Sequence, residues 1–423
     1  MNMAPTQGFQ NPTDNEIRKS REQTMQFPKS EIKVGLLTGG IDRPYVFGLA
    51  MALASRGVNL DVIGSDLIDR PELHAPPRLN FLNLRGDQRP NVSLKEKILR
   101  VLRYYVRLIH YAWVAKPRVF HILWDNKFLL FDRTVLMLYY KVVGKKIAFT
   151  AMNVNAGRRD GNNSLLNRMS LRIQYQLADH IFVHTEKMKC ELLEDFGVRN
   201  EGVTVIPMGI NNSVPNTGLS PAEAKRRIGI GCSEKTILFF GGIQPYKGLE
   251  YLVTAFQLLA SEHREYRLII AGAPTQSEQY WQDIQSTIEM HPSRNRIIKR
   301  IEYVPDCETE LYFKAADVAV LPYTHIFQSG VLVLSYGFGL PVIATDVGSL
   351  GENITEGRTG FVCRPRDSVD LTRAIRTYFE SDLYKQLDEH REKIRDYTGA
   401  RNSWDVAAER TSKIYAGLLE HGS

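Results

Sequence analysis

Cysteine is scarce in this chain and nowhere clustered. Cys190, Cys232, Cys307 and Cys363 are the only four among 423 residues, and no CxxC or Cys/His group occurs. Their spacing argues against a disulfide framework and a structural zinc site, and reads as four reduced thiols. Long apolar runs are missing as well: no stretch reaches the roughly 18 uninterrupted apolar residues of a membrane span. Residues 1–31 are polar and lack the apolar segment of a signal peptide, so they read as a disordered lead-in. The ten histidines form no HExxH pairing. His110, His121, His180 and His184 fall in helix or strand patterns and read as structural. No metal site and no cofactor is expected.

What is present is a regular alternation. Ile32–Leu37 is a short apolar strand, followed by Thr38-Gly39-Gly40 and a helical pattern to about Arg56. Further short apolar runs follow at 60–64, 79–84, 120–123, 147–150, 181–185 and 203–207, most of them separated by helical patterns. The pattern weakens into Asn, Pro, Ser and Gly over 211–232 and then restarts at 237–240, 268–271, 297–304, 318–321 and 342–345. Strands alternating with helices imply parallel sheets covered on both faces. The expected fold class is therefore α/β, with two doubly wound, Rossmann-like parallel-sheet domains facing a central cleft. Their bounds are 32–210 and 233–400, and a helix over 401–423 packs back on the first domain.

Two glycine-containing turns carry candidate chemistry. Gly241-Gly242-Ile243-Gln244-Pro245-Tyr246-Lys247-Gly248 follows a strand and opens a helix. Its glycines admit a ligand close to the backbone, the helix start supplies free N–H groups, and Lys247 adds a full positive charge. Gln328-Ser329-Gly330-Val331 opens a second helix in the same manner. Neither is a P-loop, since no Gly-Lys-Ser/Thr stands at the right spacing. Taken singly, each reads equally well as an ordinary βα turn, one with a solvent lysine and one with Ser329 as a helix cap.

Lys247-Gly248-Leu249-Glu250 together with Gly339-Leu340-Pro341-Val342-Ile343-Ala344-Thr345 resembles the retaining family-four glycosyltransferases of the GT-B fold, also called glycosyl transferases group 1. Ala315-Ala316-Asp317-Val318 and Thr359-Gly360-Phe361-Val362 fall where that family has similar stretches. The resemblance implies an enzyme that moves a hexose from a nucleoside-diphosphate sugar to a hydroxyl acceptor, in polysaccharide or glycolipid assembly. It implies that the first domain takes the acceptor and the second the sugar nucleotide. Lys247 would meet the donor diphosphate, with Gln328, Ser329, Gly330 and Val331 beside the same phosphates and Gly241 and Gly242 in the adjoining turn. Val304 and Asp306 would lie at the nucleobase, and Gly39 and Gly40 in the loop closing over the donor. The family needs no catalytic metal.

The chain departs from the family pattern in places. Ile326 and Leu334 stand where many members carry glutamates, although one branch has a Ser-Gln-Ser-Gly version of this motif. Gly242 replaces a common arginine. Met152, in Thr150-Ala151-Met152-Asn153-Val154-Asn155, replaces a histidine expected near the reacting sugar, and a thioether neither donates a hydrogen bond nor transfers a proton. Asn153, Asn155 and Arg158 remain as polar candidates, with Asn153 and Arg158 placed beside Lys247 as catalytic. A non-catalytic relative that binds sugar nucleotide as a scaffold or regulator is the competing reading. A sugar-nucleotide 2-epimerase of the same fold would need acidic and histidine residues that cannot be placed.

Residues 94–120 carry Lys95, Lys97, Arg100, Arg103, Arg107, Lys116 and Arg118 against Glu96 alone, with apolar and aromatic residues at helical spacing. This is the pattern of a helix lying on an anionic membrane surface. A second stretch, 127–146, is also apolar, aromatic and basic at its ends. Both helices packed on the sheet, with solvated arginines, are the structural alternative. A membrane-facing acceptor domain suits a lipid-linked acceptor, at the cytoplasmic face of the inner membrane. The net charge of +7 comes with no nucleic-acid-binding motif, so no nucleic acid is expected as partner.

Overall fold

The computed structural model describes residues 31–39, 43–89, 92–210 and 214–420. The expected lead-in over 1–31, apart from Glu31, and the start of the 211–232 linker lie outside the described residues, as does Gly40.

Seven strands form the first sheet: β1 (Lys33–Leu37), β2 (Asn59–Ile63), β3 (Leu79–Leu82), β4 (Val119–Ile122), β5 (Lys146–Thr150), β6 (His180–Val183) and β7 (Val203–Val205). Their order is β3-β2-β1-β4-β5-β6-β7, and every pairing is parallel. A second sheet of six parallel strands has the order β10-β9-β8-β11-β12-β13. Its strands are β8 (Lys235–Phe240), β9 (Tyr266–Ala271), β10 (Ile297–Arg300), β11 (Val318–Leu321), β12 (Val342–Thr345) and β13 (Gly360–Cys363). Strands β4, β6, β11 and β12 are buried at every position. Helices on both faces leave no solvent side, which is why these strands read as unbroken apolar runs rather than as alternations.

The principal helices are α1 (Arg43–Ser55), α2 (Leu94–Val114), α3 (Met137–Val142), α4 (Leu165–Leu177), α5 (Glu186–Phe196), α6 (Leu249–Glu262), α7 (Gly330–Gly337), α8 (Leu387–Arg401) and α9 (Trp404–Glu420). In the first domain, Val34, Leu36, Val62 and Val119 point into a core shared with α1 and α9. Their neighbours Leu37, Ile63, Phe120 and Ile122 point the other way, onto α2, α3, α4 and α5. The period of two along each strand divides the core into these two layers.

The chain ends by returning to its first domain. α9 lies against α1. Its Tyr415 hydroxyl meets His121 Nδ1 at 2.5 Å, and the other ring nitrogen meets Thr150 Oγ1 at 2.7 Å. Trp404 Nε1 donates to the Ile210 carbonyl at 2.9 Å. A Cβ on Gly48 or on Gly209 would collide with the Trp404 ring, so both backbones approach this indole as only glycine allows.

In each sheet the strand order reverses beside the first strand, between β1 and β4 and between β8 and β11. Doubly wound sheets bind ligands outside the carboxyl ends of the strands at such switch points. Gly39 and Trp124 follow one pair of strands, and Gly241 and Tyr323 follow the other.

Candidate active site between the two domains

The two switch points share one cavity of about 430 Å³. Tyr45, Trp124, Met152, Asn153 and Arg159 line it from the first domain, and Trp404 from α9. The second domain contributes Tyr246, Lys247, Tyr323, Ile326, Leu334 and the turn Gln328–Val331.

Lys247 ends a short 3-10 turn, Pro245–Lys247, and Gly248 follows at φ 62. A side chain on Gly248 would strike the Pro322 carbonyl oxygen, so the turn can seat itself against the end of β11 only with glycine there. The Lys247 side chain is 9% exposed. Its Nζ lies 5.6 Å from the centre of the Tyr323 ring. A Cβ on Gly241 would stand 3.1 Å from that nitrogen, so glycine at 241 leaves the ammonium its room. No ion pair reaches Lys247 among the described residues. Burial, and then the positive Arg159, push its ammonium down to about 8.

Facing it is the start of α7. Ser329 sits at the cap position with extended backbone, but its side chain makes no capping bond. The first amides of a helix have no partner within it, and the residues that carry them here, Gly330 and Val331, line the cavity. Gln328 Oε1 is buried without a hydrogen-bond partner. A cation and a helix N-terminus around one cavity can hold an anion, the diphosphate of a nucleotide above all, while Gln328 Oε1 can accept from a hydroxyl.

The sequence candidates are distributed unevenly around this centre. Asn153, Lys247, Gln328, Ser329, Gly330 and Val331 all line the cavity. Gly39 packs against Trp124, and its carbonyl accepts from Arg85. Gly242 abuts Thr275 on the flank of the turn. Arg158 does not line the cavity: it is held by Glu191 at 3.0 Å and Asp195 at 2.8 Å on α5. The arginine in the cleft is its neighbour Arg159, stacked 4.8 Å from the Tyr246 ring centre and paired with the Asp160 carboxylate at 2.6 Å. One step along a helical turn rotates a side chain by about 100°, so the doublet Arg158-Arg159 had to place one member on each side. Val304 and Asp306 do not line the cavity either. Val304 is buried in the core of the second domain, and the Asp306 carboxylate bridges the domains to Arg70 at 3.1 Å. Asn155 bonds to Asn163 and Asn167 and braces its own loop.

Met152, Ile326 and Leu334 all face the cavity. No carboxylate lines it among the described residues. Tyr246 lines it from within the Lys247 turn, whereas Trp124, Tyr323 and Trp404 line it without having been signalled by any motif, since aromatic residues at loop ends and in a distant helix carry no local pattern.

Residues 38–214 match the sequence profile described as Glycosyltransferase Family 4. Residues 234–381 match the one described as Glycosyl transferases group 1. The chain belongs to the family-four glycosyltransferases. Among curated relatives, D-inositol 3-phosphate glycosyltransferase of Corynebacterium diphtheriae is 23% identical over 402 residues, covering 89% of this chain and 90% of the relative. The enzyme of that name from Thermomonospora curvata is 26% identical over 260 residues, covering 57% of this chain and 58% of the relative. Among solved structures, sucrose-phosphate synthase of Thermosynechococcus elongatus superposes with TM-score 0.74 at 17% identity, covering 93% of this chain and all of that one. The Anabaena HepE protein in complex with UDP-glucose gives TM-score 0.71 at 14% identity, covering 92% of this chain and all of that one. The fold of this glycosyltransferase is GT-B, and its cleft is the one between the two sheets.

Proposed function

We propose that this glycosyltransferase transfers a hexose with retention from a nucleoside-diphosphate sugar to a hydroxyl acceptor, without a catalytic metal. The observation that carries the reading is the buried Lys247, with no ion pair among the described residues, sharing one cavity with the first residues of α7. Departure of the nucleotide leaves negative charge on the phosphate oxygens. Lys247 and the helix amides would neutralise it, with the Arg159–Asp160 pair beside them. With no carboxylate lining the cleft among the described residues, the acceptor proton would pass to the departing phosphate oxygen. The acceptor oxygen would bond to the anomeric carbon from the same face as the C–O bond to the nucleotide breaks. The UDP-glucose in the HepE complex makes UDP-glucose the first donor to test.

The acceptor would be presented at an anionic membrane surface on the cytoplasmic side, in glycolipid or polysaccharide assembly. α2 supports this. Its buried side carries Tyr104, Tyr105, Leu108, Tyr111 and Ala112, yet Ile98, Leu102, Val106 and Trp113 are exposed on the other side among the basic residues. Exposed Leu138 and Val142 on α3, and Leu165, Leu166 and Met169 on α4, extend the apolar surface over the same layer of helices. No helix among the described residues is long and apolar enough to cross a membrane.

Met152, Ile326 and Leu334 favour a second reading, a sugar-nucleotide-binding protein without turnover. A thermal-shift screen with UDP-, GDP- and ADP-sugars, followed by assay of free nucleotide, separates the two. Ligand at 100 times Kd should add about 2.7 kcal/mol of stability. Stabilisation with nucleotide release is the expected result. Stabilisation without release over a panel of lipid and sugar acceptors would favour the second reading, and no stabilisation would remove both.

A further inference from the structure

A second concavity lies in the first domain, apart from the donor cleft. It encloses about 290 Å³ and is bounded by Arg85, Lys97, Arg100, Tyr104, Asn126 and Lys127, with Arg89 at its rim. Asp87 is the one carboxylate lining it among the described residues. That carboxylate is taken by Arg89 at 2.7 Å and Arg100 at 3.1 Å, and Glu96 also pairs with Arg100. Three cations are left over. Arg85 donates to the Gly39 carbonyl and stacks 5.3 Å from the Tyr104 ring centre, with no carboxylate partner. Lys97 and Lys127 make no ion pair among the described residues.

Lys97 also stands in the first turn of the 21-residue α2. Cations at a helix N-terminus are disfavoured, because the amide end is itself positive. The Ser93 cap and Glu96 in the same turn offset the helix end, so the positive field of the concave site comes from the three cations left over.

The site adjoins two surfaces already described. Ile98 and Leu102 of α2 are exposed beside it. On its inner side Asn126 accepts from the Tyr104 hydroxyl at 2.6 Å. Two residues earlier, Trp124 lines the donor cleft and packs against Gly39, whose carbonyl Arg85 holds. One loop thus forms a wall of both sites.

We propose that this basic pocket holds the phosphate or diphosphate of a lipid-borne acceptor, its chain on the apolar side of α2 and its reacting hydroxyl directed past Gly39 into the cleft. This names the acceptor class for the transfer proposed above and rests on that reading.

The test uses the full chain and phosphatidylcholine vesicles carrying either hexadecyl phosphate or phosphatidylglycerol at matched surface charge. The expected result is tighter binding to the phosphate monoester, reversed by inorganic pyrophosphate. The Lys97→Ala/Lys127→Ala variant should lose roughly 30-fold on those vesicles, as two surface cations predict, and lose the preference. The Lys95→Ala/Arg103→Ala variant removes equal charge from α2 outside the pocket, and should weaken both vesicle types alike while keeping the preference. Equal losses and an equal preference in the two variants would overturn the pocket and leave only general charge attraction. Pyrophosphate binding with no preference for lipid phosphate would assign the site to a soluble phosphate and overturn the lipid half. Stabilisation by UDP, read in parallel, should persist in both variants. Its absence from the unsubstituted protein would count against the donor site, while the vesicle preference would still decide the pocket.

Discussion

Lys247 is a buried cation without a carboxylate partner, an arrangement that costs stability until a ligand supplies the counter-charge. Burial, and then Arg159, hold its ammonium down to about 8. A bound diphosphate favours the charged form, so nucleotide affinity is present below that pH and is lost as pH rises through it. By linkage, affinity for the nucleotide should fall about tenfold for each pH unit beyond 8. Calorimetric titration with UDP or GDP between pH 7 and 9.5 measures this, and a flat profile would remove Lys247 from the phosphate site. Lys247→Met should weaken nucleotide binding by at least about 30-fold, from roughly 2 kcal/mol for a truncated charge pair. The same variant should unfold at an equal or higher temperature when empty, because the unpaired charge is gone. The Lys247 motif was legible in sequence because glycine turns and a lysine leave a local signature. The choice between Arg158 and Arg159 was not, since it depends on which member meets Glu191 and Asp195 on another helix.

At the scale of elements, α2 divides its surface unusually. Tyr105 and Tyr111 are buried with their hydroxyls on Asp132 at 2.8 Å and Asp61 at 2.9 Å. Those bonds fix the rotation of the helix, and the fixed rotation leaves Val106 at 68% and Trp113 at 72% exposure. Val106→Gln with Trp113→Gln should lower partition onto anionic vesicles by tenfold or more, since each apolar side chain withdrawn from water is worth about 2 kcal/mol. The unfolding midpoint in urea should hardly move, because substitutions at such exposed positions typically stay within about 0.5 kcal/mol. Unchanged partition would place the membrane contact elsewhere. The basic and apolar periodicity of 94–120 was readable in sequence. The stretch 127–146, which holds α3, was readable in the same way; the exposed apolar residues of α4 were not, because they carry no such pattern and join that layer of helices only by packing on one sheet.

At the scale of the whole molecule, three histidines are buried in the first domain and held neutral. Burial lowers His121 to about 3 and His180 and His184 to about 4. The unfolded chain takes up these protons near 6.5, so the stability they contribute is complete above that pH and is lost as pH falls toward 4. Each can contribute up to about 1.4 kcal/mol per pH unit in that window. Asp132, raised by burial to about 6, acts in the opposite sense for one proton. The net expectation is a lower urea midpoint at pH 5 than at pH 7, with a smaller difference in His121→Gln. Equal slopes in the two proteins would show that His121 is charged in the folded state.

The order of strands and helices, the two α/β domains and the glycine turns at Lys247 and Ser329 were determined by the sequence alone, because each rests on periodicity or turn chemistry within a few residues. Only the tertiary structure decided that Trp404 would come back to the cleft and that Asp306 would bridge to Arg70. It also decided that Arg85, Lys97 and Lys127 would surround one pocket. Those contacts join positions far apart in the chain, and they follow from how two sheets and a returning helix pack.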